Sequence, residues 1–185
     1  MLRFITAVLF ISTLQANDYY KGDTLVRQGV HAFYNYEFDK AVDILSDARI
    51  QFPDHPGVHL IWAASRWVRS QANSPVEETY RILQEDLDEI GPVYEQLVEK
   101  HAYDPNYKLY QGSALGLSAR VALGKKQWLR TLLRSYKGFI IIKNIAKESP
   151  HVTDAQLPIG IVEYFAGISN PFISWAVRMY DLDAS

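Results

Sequence analysis

The chain has no cysteine among its 185 residues. That excludes disulfides, thiol nucleophiles and cysteine-bound metals. It also excludes a lipid-modified cysteine after the N-terminal apolar stretch. Charge of one sign is equally lacking: 19 Lys+Arg against 21 Asp+Glu leave a net charge of -2. That total gives no reason to expect nucleic acid or an acidic membrane surface as partner. There is no low-complexity tract and no N-x-S/T sequon. A phosphate-cradling loop is missing, because Gly124-Lys125-Lys126 lacks the upstream glycine and the following Ser/Thr. In Gly112-Ser113-Ala114-Leu115-Gly116 the serine adjoins the first glycine and does not stand at the elbow of G-x-S-x-G, which argues against a hydrolase nucleophile.

What is present begins with an apolar stretch, Phe4 to Leu14, behind Arg3 and interrupted only by Thr6, Ser12 and Thr13. It is too short to cross a bilayer, which takes roughly 20 residues. Leu14-Gln15-Ala16 offers a cleavage site before Asn17-Asp18. Residues 1–16 are therefore expected to be a signal peptide or an uncleaved anchor. Residues 17–185 are expected to form one helical domain, exported to the periplasm or secreted.

The run from Gly29 to Pro53 carries the most structural information. Ala41, Leu45 and Ala48 stand four and three residues apart and so share one helix face. Small residues at 41 and 48 let a neighbouring helix come close, and Gly29 does the same for the helix before. Asn35, Tyr36 and Glu37 make the turn, with Phe38 packed under it. Pro53 ends the second helix, because a residue before proline avoids the α region. This hairpin resembles the tetratricopeptide repeat, with its L-G-x2-Y, A-x3-F and closing proline pattern. Gly29, Ala41, Ala48 and Pro53 match the family. Leu25, Gln28 and Ala32 stand where it has tryptophan, leucine and tyrosine, and Leu45 replaces a large residue.

Beyond Pro53 the pattern is helix after helix. One helix spans about 57 to 71 with Leu60, Ala63, Ala64, Trp67 and Val68 as its apolar stripe. Ser74-Pro75-Val76-Glu77 reads as a capping box with proline at the first helical position. The helix it opens buries Tyr80, Leu83, Leu87 and Ile90, and its acids Glu77, Glu78, Glu85, Asp86, Asp88 and Glu89 read as a solvated face. Gly91-Pro92 is expected to break or kink it. Asp104-Pro105-Asn106 opens a helix that Gly124 closes as a left-handed cap. Trp128 to Glu148 form a long helix, although Phe139-Ile140-Ile141-Ile142 alone has strand character. Asp154 caps another helix, and Asn170-Pro171 starts a last one to about Tyr180. Gly112, Gly116 and Ala119 allow close helix approach, and Gly124 to Trp128 resembles a second repeat turn, with Trp128 in the role of Phe38. The expected fold is thus all-α, an α-solenoid of stacked antiparallel hairpins, with repeats at about 22–55, 56–90, 105–148 and 154–180. The apolar last helix either folds back on the array, meets a partner or continues in a longer chain.

Chemistry-bearing clusters are few. His55 and His59 stand four apart, as zinc-binding imidazoles do, but Pro56 lies between them and no third ligand is near. They are expected to be a surface pair. The resemblance implies inner helices that line a concave groove. Carried onto this chain, the ligand-facing positions are Val30, Phe33 and Tyr34 in the first hairpin and Ala64 and Trp67 in the second. Tyr110, Arg120 and Glu163 follow farther on. No catalytic residue, cofactor or metal is expected. The implied function is a non-catalytic adaptor for a peptide or protein partner in the cell envelope. The alternative is a small-molecule-binding accessory to solute uptake, with its ligand enclosed near Trp67, Tyr110 and Arg120.

Overall fold

A computed structural model describes residues 19–160 of the chain. The expected signal segment and the positions from 161 onward, Glu163 included, lie outside the described residues. Six helices follow one another: α1 Asp23–Tyr34, α2 Phe38–Gln51, α3 Val58–Gln71, α4 Val76–Lys100, α5 Pro105–Gly124 and α6 Trp128–Glu148. A 3-10 turn at Thr153–Ala155 comes next, and residues 156–160 are helical. Each helix packs on its neighbours in sequence, and α1 also touches α3, as α3 touches α5. The array is therefore stacked, all-α and strand-free among the described residues, with odd-numbered helices on one side. Phe139 to Ile142 are helical.

The seam of the first hairpin follows from its small residues. Ala41, Leu45 and Ala48 are fully buried. A Cβ on Gly29 would come within 2.6 Å of Leu45 Cγ, so only glycine lets α1 lie this close to α2. The α5–α6 seam sets backbone against backbone: a Cβ on Gly138 would stand 2.8 Å from the carbonyl oxygen of Gly112. Gly116, by contrast, faces open space.

The turns of these two hairpins share one hydrogen-bond pattern. Glu37 N–H donates to Ala32 O at 3.0 Å and Gln127 N–H to Ala122 O at 2.9 Å. Tyr36 donates to Phe33 O and Lys126 to Leu123 O, while Asn35 reaches His31 O and Lys125 reaches Val121 O. This is the Schellman closure, with its left-handed residue supplied by Tyr36 (φ 62°) and Lys126 (φ 57°). The left-handed cap expected at Gly124 is thus two residues later, and Gly124 ends α5. Phe38 rests edge-on against Phe33 and Tyr36. Trp128, expected to do likewise, is instead 68 % exposed.

Two further expectations change. α4 starts at Val76 with Pro75 at its N-cap, and Ser74 makes no capping bond. It then runs unbroken through Pro92. A helix-interior proline costs about 3 kcal/mol, but Leu87, Ile90, Tyr94 and Leu97 on either side are all buried and hold both halves on one axis. The Tyr94 hydroxyl donates to Pro56 O and accepts from Leu60 N–H, which fixes the irregular link between α2 and α3.

The start of the described chain is tied to its middle. The Tyr20 hydroxyl donates to Asp104 Oδ2 at 2.8 Å and accepts from Asn106 Nδ2 at 2.8 Å. Asp104 is also the N-cap of α5, accepting from Asn106 N–H, so one carboxylate serves both jobs.

Candidate functional site

A cavity of about 880 Å³ opens between α1, α3, α5 and α6, with Leu157 and Pro158 at its edge. Val30, Phe33 and Tyr34 reach it from α1, Ala64 and Trp67 from α3, and Arg120 from α5. These positions point inward because the odd-numbered helices share one side of the stack. No carboxylate belongs to the lining among the described residues, and Arg120 is its one charge. The Arg120 guanidinium lies 5.6 Å from the Tyr80 ring centroid, a cation–π distance. Tyr110 stands apart from the cavity. Its ring covers Gly57, where an added Cβ would lie 2.7 Å from Tyr110 Cζ, and burial raises its hydroxyl pKa.

The cavity has a local cause. When the two Schellman turns are superposed on Tyr36 and Lys126, Val26 falls on Gly116 and Leu45 on Ser135. Val26 and Leu45 fill the first hairpin's core. Gly116 and Ser135 are exposed and line the cavity. Two large side chains are thus replaced by two small ones, and the space is left open. The sequence signalled this at Gly112 and Gly116, which as a pair suggested close helix approach. Gly112 serves that purpose, whereas Gly116 hollows the groove. The α6 contribution, Ser135, Gly138, Phe139 and Ile142, had no sequence signal beyond general apolarity.

The titratable clusters lie elsewhere and serve packing. His55 and His59 are buried, not a surface pair. His55 Nδ1 accepts from Gly57 N–H, so Nε2 donates to Asp23 Oδ1 at 2.8 Å. Burial alone would raise the Asp23 carboxyl, but hydrogen bonds from His55 and from the Tyr19 and Tyr20 backbone hold it below the usual carboxylate range. His59 Nε2 donates to Pro53 O while Nδ1 accepts from Arg49, and burial lowers its pKa. The spacing of four thus reflects two separate structural bonds. Among the described residues no group of three His, Asp or Glu side chains is placed to hold a metal ion.

Asp86 departs from the solvated face expected of the α4 acids. It is buried, with Arg66 Nε 3.2 Å from its Oδ2. Burial pushes its carboxyl up to about 6, and Arg66 only partly offsets this. Trp62 lies between Arg66 and Arg49, whose guanidinium carbons are 4.8 and 4.1 Å from its ring centroid. Arg49 continues to Glu89 on the surface. This cluster joins α2, α3 and α4, and none of its residues lines the groove.

No protein-family description, curated protein or solved structure matches this chain.

Proposed function

We propose that the chain is a tetratricopeptide-like adaptor whose groove receives an apolar segment of a peptide or protein partner, without chemistry. One observation carries this reading: a continuous apolar concavity built on α1, α3, α5 and α6, free of carboxylates among the described residues, with aromatic anchors and a single arginine. Aromatic side chains and arginine are the residue types that dominate binding energy at interfaces. Rigid stacked hairpins present such a surface at little conformational cost. The buried charged groups, Asp23 with His55 and Asp86 with Arg66, each tie separate segments together, which supports a non-catalytic reading. An envelope location follows from the N-terminal segment and belongs to the same proposal.

The test uses the full chain with a photo-reactive phenylalanine analogue at position 33. It should crosslink a protein from an envelope extract. Gly116→Leu, which extends into open space in the groove, should abolish that crosslink while leaving the fold intact.

A second reading is favoured by size. A volume of about 880 Å³ lies within the range of small-molecule sites, roughly 300–1,000 Å³. Recovery of a bound metabolite by mass spectrometry, lost in Gly116→Leu and with no protein crosslink, would put the small-molecule accessory in place of the adaptor.

A further inference from the structure

Among the described residues, the first half of α6 exposes four large apolar side chains within six positions. Trp128, Leu129, Leu132 and Leu133 recur at spacings of one, three and four residues, so they form one helix stripe. All four are exposed, Leu129 by 70 % and Leu133 by 59 %. Leu129 and Leu133 point away from Gly138 and Ile142, which α6 turns toward α5, and Trp128 and Leu132 stand between the two sides. Apolar side chains exposed in a row are rarer than scattered ones and mark a contact surface.

Charge identifies what the contact is. From Lys125 to Lys147 there is no Asp or Glu. Lys125 and Lys126 precede the stripe, and Arg130, Arg134 and Lys137 run along one flank of it. None of these five forms an ion pair among the described residues, and Arg134 donates to Ser118 O. Elsewhere several exposed cations are matched: Arg81 meets Glu78 and Glu85, Lys40 meets Glu37, and Lys100 meets Asp54. Lys21, Lys108 and Arg120 are single exposed cations without an ion pair among the described residues. The small net charge of the chain conceals this segregation.

We propose that the first half of α6, with the turn before it, lies on an anionic lipid surface. The helix axis would run in the plane of the interface, Trp128, Leu129, Leu132 and Leu133 would enter the acyl boundary, and the five cations would meet lipid phosphates. No described helix is long and apolar enough to cross a membrane, so the contact is peripheral. A second copy is a poor occupant, because it would set the same cations against one another. Trp128 and Leu132 stand seven residues before Ser135 and Phe139 and so continue the stripe by which α6 lines the groove, whereas Leu129 and Leu133 lie outside it.

The absence of native cysteine makes the test local. Leu129→Cys in the full chain carries an environment-sensitive dye, and Glu85→Cys on the exposed acidic face of α4 serves as control. Equimolar phosphatidylglycerol and phosphatidylcholine vesicles should blue-shift the dye at 129 and leave that at 85 unchanged. Phosphatidylcholine alone should shift neither, and high salt should reverse the effect. In a separate arm, Leu133→Glu should weaken the 129 response at least about tenfold in lipid concentration, given the value of burying one leucine. An unshifted dye at 129 overturns the proposal, even if the protein is carried down with vesicles through its N-terminal apolar segment. So does a shift at 129 that appears without lipid and grows with protein concentration, which would identify a second copy as the occupant.

Discussion

The α1–α2 and α5–α6 hairpins close with the same three backbone hydrogen bonds and the same left-handed residue, yet their surfaces are put to opposite uses. In the first, large side chains fill the seam: Leu45 lies under Gly29, and Val26 completes the layer. In the second, Gly116 and Ser135 hold the corresponding places and leave a cavity. The second hairpin also turns Trp128, Leu129 and Leu133 outward where the first keeps Phe38 against its own turn. Backbone closure is therefore separable from what the faces do. A hairpin can keep its turn while its core positions are emptied into a cavity.

The contrast is sharpest for leucine. Leu45→Ala should destabilise the fold by about 3 kcal/mol, since it opens a cavity in a fully packed layer. Leu133→Ala should stay within about 0.5 kcal/mol, as expected of an exposed site. Urea unfolding of both variants measures the difference. Equal costs would mean that the outer face of α6 is covered.

The second expectation sets the halves apart by pH. Asp86 belongs to the first half of the array, and burial pushes its carboxyl up to about 6, above the ordinary value of 3.8. The folded state therefore binds more protons than the unfolded one between these values. Stability should fall as pH rises from about 4 to 6. The full effect is roughly 2–3 kcal/mol at 1.36 kcal/mol per unit. Asp86→Asn should remove this slope while leaving the opposite contribution of Asp23, whose depressed pKa costs stability only as pH falls through it. Wild type and variant titrated in parallel by chemical denaturation would show the curves converging below pH 4. Parallel curves would place the burial of Asp86 in doubt.

The smallest effect tests what the hairpins share. A non-glycine residue in the left-handed region costs about 1 kcal/mol. Lys126→Gly and Tyr36→Gly should each raise the unfolding free energy by up to that amount. Lys126→Gly should come nearer to it, because Tyr36 gives up its edge contact with Phe38. Thermal melts resolve shifts of this size. A loss of stability in both would show that the two turns are not closed in the same way.

Much of the array was legible in sequence because it is set by local rules. The spacing of Ala41, Leu45 and Ala48, the turn at Asn35 to Glu37 and the Asp104 cap all act within a few residues. The first three groove positions, Val30, Phe33 and Tyr34, could be named because α1 has one face for α2 and another for the concavity. Failures came where distant partners decide. Asp86 looks like part of a charged run until Arg66 and Trp62 are seen around it. His55 and His59 look exposed until Asp23 and Pro53 O take up their nitrogens. Pro92 fails to break α4 because packing outweighs a local preference. Tyr110 was placed in the groove by analogy, and Gly57, which no helical periodicity could connect to it, claims its ring instead.

The tie from the Tyr20 hydroxyl to Asp104 and Asn106 has a mechanical consequence. An open stack of helices in which each unit meets only its neighbours can peel from an end, one unit at a time. Here the leading strand of polypeptide is buckled onto the fifth helix, so the front of the stack cannot lift away without disturbing the middle. Denaturation of the first five helices should accordingly occur as one concerted step, and cutting the buckle with Tyr20→Phe should let the front fray first.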